Sequence, residues 1–105
     1  MDLGLRGKRA IVTGATKGIG RAIVEVLAGE GCDIALCARS EDEVASTVRA
    51  VATKGTNVQG GAVNVRDAEA YKAWLERSVT ELGGCDIFVP NVSAGGGMDS
   101  EKNWW

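Results

Sequence analysis

The sequence predicts an α/β fold, an open and doubly wound sheet of parallel strands, truncated to about four strands in the order 3-2-1-4 with three helices. Three observations predict it. Stretches of β-type and of helical hydrophobic periodicity alternate from one end of the chain to the other. The strand-like runs of Ile, Val, Leu and Ala are too continuously apolar for a sheet with one wet face, as expected where helices cover both faces. Finally, 105 residues with 45% hydrophobic and 25% charged side chains suit one globular unit spanning residues 1–105, not a disordered or fibrous chain.

Each element has a local cause. Lys8 to Thr13 is a short β-type run ending at Gly14; Ile19, Ala22, Ile23, Val26 and Leu27 then follow helical spacing until Gly29 and Gly31 stop the helix. Asp33 to Ala38 forms the second strand. Ser40 with Glu43 makes a capping box for a helix whose apolar face is Val44, Val48, Val51 and Ala52. The third strand, 56–63, is weakened by Gly60 and Gly61, and Asp67 can cap a helix carrying Tyr71, Leu75, Ser78 or Val79, and Leu82. Gly83 and Gly84 end that helix. Cys85 to Val89 is the fourth strand, stopped by Pro90, and 91–105 is a glycine-rich tail leading to Trp104 and Trp105. Right-handed crossovers then open a crevice between strands one and four, where the winding reverses.

Composition removes several function classes. Lys and Arg number 12 against 14 Asp and Glu, a net charge of −2, which gives no electrostatic case for nucleic acid or an anionic membrane. No histidine is present, so His-based metal sites, nucleophile systems and general bases are excluded. Cys32, Cys37 and Cys85 are odd in number and lack metal-type spacing; all three read as small buried hydrophobes in a reducing compartment. The N-terminus has no apolar signal-like run and no apolar stretch approaches membrane-spanning length, so a cytoplasmic location is expected. The 15 glycines, roughly twice the usual share, occur with one proline and no repeat, which points to turns and close backbone approach.

The chemistry concentrates at Thr13-Gly14-Ala15-Thr16-Lys17-Gly18-Ile19-Gly20. Gly14 permits a tight turn after the strand, Gly18 lets the backbone approach a pyrophosphate, and Gly20 lets the helix pack against the strand. The helix N-terminus supplies N–H donors and positive potential, so the segment reads as an anion cradle. A P-loop is excluded because no Gly-Lys-Ser/Thr follows.

The Thr-Gly-x-x-x-Gly-Ile-Gly spacing resembles the short-chain dehydrogenase/reductase family, with a Rossmann-like fold. The resemblance runs from Leu5-Arg6-Gly7-Lys8, through Asn64-Val65-Arg66-Asp67, to Asp86-Ile87-Phe88-Val89-Pro90-Asn91. It implies a dinucleotide cofactor held by Gly14, Thr16, Lys17, Gly18, Ile19 and Gly20. NAD-preferring members carry an acid at the end of the second strand; here Ala38 is followed by Arg39 and Ser40, and Arg39 and Lys17 can both bind a 2′-phosphate, implying NADP(H), with NADPH preferred over NADH. Asn64 and Val65 stand where the family usually has Asp-Val near the adenine; Asn64 can accept a hydrogen bond from the adenine amino group or only cap a turn. Asn91 matches an Asn that braces the central strands, while Pro90 and Val92 depart from the family pattern.

The family's Tyr-x-x-x-Lys pair, with its Ser and further Asn, has no match in the sequence. Tyr71 is followed four residues on by Leu75 and reads as core packing. The resemblance therefore implies the NADP(H)-binding N-terminal half of an oxidoreductase, a truncated product or incomplete chain, that does not catalyse hydride transfer by itself. The alternatives are a non-catalytic cofactor-binding or self-associating module, and a marginally folded remnant without function. A fourth strand with no neighbour at its outer edge implies a homo-oligomer through Ile87, Phe88 and Val89.

Overall fold

The computed structural model describes residues 4–52 and 56–91. Seven elements alternate along the chain: β1 (Arg9–Thr13), α1 (Gly18–Gly29), β2 (Asp33–Ala38), α2 (Glu41–Ala52), β3 (Val58–Ala62), α3 (Ala68–Leu82) and β4 (Ile87–Pro90). The strands form one parallel sheet in the order β3-β2-β1-β4, as expected for the first part of a doubly wound fold. Register places Ile11 beside Ala35 and Phe88, and Leu36 beside Gly60.

The continuous apolar character of β1 and β2 follows from two cores, one on each face. Ala10, Val12, Ile34 and Leu36 point to the face covered by Val24, Leu27 and Ala28 of α1 and by Val44 and Val51 of α2. Ile11, Ala35 and Cys37 alternate to the opposite face, under Trp74 of α3. Each large aliphatic side chain fully buried here contributes about 1.5–3 kcal/mol by leaving water. The second half of the outer strand β3, Gly60-Gly61-Ala62, has almost no side-chain bulk. A Cβ on Gly60 would press on Val44 and Val48, and one on Gly61 would meet the Trp74 indole, so the two glycines let α2 and α3 close on β3 from both faces.

Side chains cap the N-terminal ends of two of the three helices. The Asp67 carboxylate accepts from the Ala70 N–H at 3.1 Å, and the Ser40 hydroxyl accepts from the Glu43 N–H at 3.3 Å. At the far end of α3, Gly83 adopts φ 84°, and the N–H groups of Gly83 and Gly84 both return to the Val79 carbonyl. At the start of β4, the Asp86 carboxylate accepts from the backbone N–H of Arg9 at 2.9 Å and from its guanidinium at 3.2 Å, which holds its pKa below the usual carboxylate range.

Several side chains depart from the periodicity. Ile19 and Val26, expected in the apolar face of α1, are 71% and 57% exposed; the buried line is Gly20, Val24, Leu27 and Ala28 because Gly20 is the residue that touches the sheet. In α2, Thr47 is buried and Ala52 is exposed; in α3, Trp74 replaces Val79 as a core residue. Pro90 is the last residue of β4 instead of lying beyond it, and Cys85 lies outside the strand. For that reason Cys85 is exposed and not buried as expected, its thiol turned to the Ile87 carbonyl at 3.3 Å. The tail after Asn91, with Trp104 and Trp105, lies outside the described residues.

Cys32 and Cys37 sit in opposite cores, and burial raises both thiols, Cys37 to about 11. They are neutral and shielded under ordinary conditions. Iodoacetamide at mildly alkaline pH should therefore label Cys85 in the folded chain and reach Cys32 and Cys37 only after denaturation, a pattern read by peptide mass spectrometry.

Candidate functional site

Parallel strands carry all their C-terminal ends to one rim, and the loops that follow β1, β2 and β3 meet there with Asn91 after β4. Between them lies a cavity of about 330 Å³, near the lower end of the roughly 300–1,000 Å³ usual for small-molecule sites. One wall is Gly14, Thr16 and Lys17; a second is Ala38, Arg39, Ser40 and Glu43; a third is Val63, Asn64, Val65 and Arg66; Asn91 closes the side toward β4.

Two glycines set the geometry of the first wall. Gly14 turns the chain at φ 63°, and a Cβ there would lie on the Asn91 carbonyl. A Cβ on Gly20 would lie on the Gly14 carbonyl and reach the Asn91 amide. The N-terminal turn of α1 thus packs directly on the end of β1, backbone to backbone. The Asn91 Nδ2 donates to the Gly14 carbonyl at 3.1 Å and ties the end of β4 to the same turn. Gly18 has φ 56° and nothing within 4 Å of where a Cβ would stand, so its backbone faces open space.

The N-terminus of α1 is chemically unlike the other two. Its N-cap, Lys17, is extended, makes no side-chain cap, and is followed by no acidic residue in the first turn. The first N–H groups of α1 therefore keep their donors and the positive end of the helix dipole toward the rim. Around them stand three cations, Lys17, Arg39 and Arg66, and one carboxylate, Glu43. Glu43 accepts from the Thr16 hydroxyl at 3.2 Å and pairs with Lys17 at 3.4 Å. Arg39 is exposed and forms no ion pair with any described residue.

The core next to the end of β1 is uncharged. Thr13 is fully buried with no well-formed hydrogen bond to its hydroxyl, and Tyr71 is half-buried beside the core of Ile11 and Cys37. Burial pushes the Tyr71 phenol up, partly offset by the neighbouring Thr13 hydroxyl, so Tyr71 is neutral packing as the periodicity suggested.

A profile described as short chain dehydrogenase matches residues 8–103 of this sequence. The chain belongs to the short-chain dehydrogenase family. L-Sorbose reductase from Gluconobacter frateurii, solved with NADPH and L-sorbose, is 40% identical with a TM-score of 0.83, covering 90% of this chain and 36% of that one. Carveol dehydrogenase from Mycobacterium avium, solved with NAD, is 31% identical with a TM-score of 0.80, covering 86% of this chain and 37% of that one. A 3-oxoacyl-(acyl-carrier-protein) reductase from Vibrio harveyi is 42% identical over 90 residues, which are 86% of this chain and 36% of the relative. The chain thus spans little more than a third of the length of these short-chain dehydrogenases.

Of the residues singled out from the sequence, the structure brings Gly14, Thr16, Lys17, Arg39, Ser40, Asn64, Val65 and Asn91 to one cavity. Gly20 lies beneath it, buried, while Gly18 and Ile19 stand at the open N-terminus of α1 outside the lining. The Asn64 Oδ1 accepts from the Arg66 N–H at 3.0 Å, a turn-forming bond that leaves one lone pair on that oxygen. Arg66 and the carboxylate of Glu43 are additions. The capping-box spacing identified Glu43 only as a helix residue, and the cross-loop pairing of Thr16, Lys17 and Glu43 has no sequence signal. No described helix is long and apolar enough to cross a membrane, and no group of metal-ligating residues occurs among the described residues.

The backbone contact at Gly20 gives a signed prediction. Gly20→Ala should destabilise the chain by about 2–3 kcal/mol because its methyl meets an immovable carbonyl. Gly29→Ala, on the same helix with open space around it, should be neutral or stabilising by up to ~1 kcal/mol. Urea unfolding followed by circular dichroism checks both.

Proposed function

We propose that this chain is the NADP(H)-binding part of a short-chain dehydrogenase whose full-length form moves a hydride between NADPH and a carbonyl or alcohol substrate. The observation that carries the proposal is the uncapped N-terminus of α1, opening beside a cavity flanked by Lys17 and Arg39. Two of the solved relatives, the sorbose reductase with NADPH and the carveol dehydrogenase with NAD, support a nicotinamide dinucleotide as the ligand.

The residues fit such a ligand on three counts. The free N–H groups of α1 and the open face of Gly18 suit a pyrophosphate, with Ile19 at the mouth and Gly20 holding the helix close beneath. Arg39, with Ser40 and Lys17, suits a 2′-phosphate, because the guanidinium can donate two parallel hydrogen bonds to phosphate oxygens. Val63 and Val65 give the third wall an apolar surface for an adenine ring, and Asn64 has an unused lone pair for its amino group. Asn91 keeps the loop after β1 in register with β4. When bound, the nicotinamide supplies or accepts the hydride; this chain's residues orient the dinucleotide and hold its charge. Three free thiols among the described residues suit a reducing, cytoplasmic setting.

Calorimetry on the purified chain tests the cofactor. NADPH should bind about tenfold or more tightly than NADH, and Arg39→Ala should remove most of that difference while leaving NADH within about twofold. Equal affinities in the wild type would overturn the NADP(H) assignment.

A specific observation also favours self-association. Phe88 on β4 is 48% exposed, and β4 pairs on one side only, with β1, among the described residues. An apolar edge of this kind accepts another strand, and a second copy of the chain offers the same edge. Light scattering should find a dimer or larger species that Phe88→Lys dissociates; a wild-type monomer at high concentration excludes the association.

A further inference from the structure

Glu43 sits three residues after the helix-capping Ser40, the position from which a glutamate ordinarily folds back onto its own N-cap. Its backbone N–H does take part, donating to the Ser40 hydroxyl at 3.3 Å. Its carboxylate does something else. It crosses the cavity to the β1–α1 loop, where Oε1 accepts from the Thr16 hydroxyl at 3.2 Å and Oε2 pairs with the Lys17 ammonium at 3.4 Å. Among the described residues Glu43 is the carboxylate that lines the cavity, together with Lys17 and Arg39, and it pairs with Lys17 while Arg39 forms no ion pair with a described residue.

We propose that Glu43 is a specificity-determining residue that opposes a 2′-phosphate and favours a 2′-hydroxyl in this cavity. The inference rests on the dinucleotide reading above. A phosphate seated between Lys17 and Arg39 must take Lys17 away from Glu43 and stand near its negative charge. A ribose hydroxyl has neither penalty, and can donate to the carboxylate. Glu43 therefore competes with a phosphate for Lys17 and reduces the discrimination that Arg39 supplies. Because the Lys17 side chain is 79% exposed and that of Glu43 42%, solvent and salt screen the pair and the effect is moderate.

The test uses two probes that differ only in the 2′-phosphate: adenosine 2′,5′-bisphosphate and adenosine 5′-monophosphate. Binding of each to the chain is measured by calorimetry for wild type, Glu43→Gln, Lys17→Met and the double variant. Glu43→Gln keeps the backbone cap and should tighten the bisphosphate about three- to tenfold while leaving the monophosphate unchanged or weaker. That gain should shrink at high salt and be smaller in the Lys17→Met background, since part of it comes from freeing Lys17. Circular dichroism confirms that each variant is folded, and Glu43→Ala repeats the charge removal should the glutamine variant not be. Wild type that binds the bisphosphate, with no gain or a loss on removing the Glu43 charge, overturns the inference and leaves the dinucleotide reading intact. Wild type that binds neither probe overturns both.

Discussion

The fold depends on a place where two backbones touch. Gly20 in the first turn of α1 lies against the Gly14 carbonyl at the end of β1, and the Asn91 amide fastens the end of β4 to that same carbonyl. Side chains at either glycine would wedge the helix off the sheet. The contact fixes the rotation of α1, which is why Val24, Leu27 and Ala28 are buried while Ile19 and Val26 face outward. It also fixes the position of the helix N-terminus, which stands at the rim with no side chain spent on capping it.

The electrostatics follow the same division between floor and rim. In the core under α3, Cys37 and Tyr71 are both driven by burial toward their neutral forms, next to the buried Thr13. Charge is confined to the side chains that stand above, Lys17, Arg39, Arg66 and Glu43. The cations around the cavity outnumber its carboxylate among the described residues and favour an anionic ligand there. The Glu43 carboxylate moderates their field where it meets Lys17.

Much of this was legible in the sequence, and the reasons differ from element to element. The alternation of β-type and helical runs was sufficient for a parallel sheet covered on both faces, because continuous apolar strands require it, while the order 3-2-1-4 was legible only through likeness to doubly wound nucleotide-binding folds. The roles of Gly14 and Gly20 were legible because each glycine occupies a position whose backbone course excludes a side chain. What escaped was anything set by tertiary contact. Trp74 is buried because Gly61, thirteen positions away in sequence, leaves room for its ring. Ile19 is exposed because the Gly20 contact turns it away from the sheet, which overrides its hydrophobicity. Cys85 is exposed because β4 begins two residues later than its apolar run suggested. Glu43 was readable as part of a cap, but its carboxylate takes partners on another loop that no local pattern encodes.

The rim is built in two materials, and this has a bearing on how such a chain can change. What stands nearest the open helix end is main chain, held by glycines and by the core below, whereas Lys17, Arg39 and Arg66 are exposed side chains outside the buried core. Replacing exposed side chains of this kind usually shifts stability by no more than about 0.5 kcal/mol. Mutation can therefore explore the charge around the cavity almost freely, while the glycine framework stays under strict constraint. A lineage carrying this architecture can drift between ligands that differ by one phosphate without passing through unfolded intermediates.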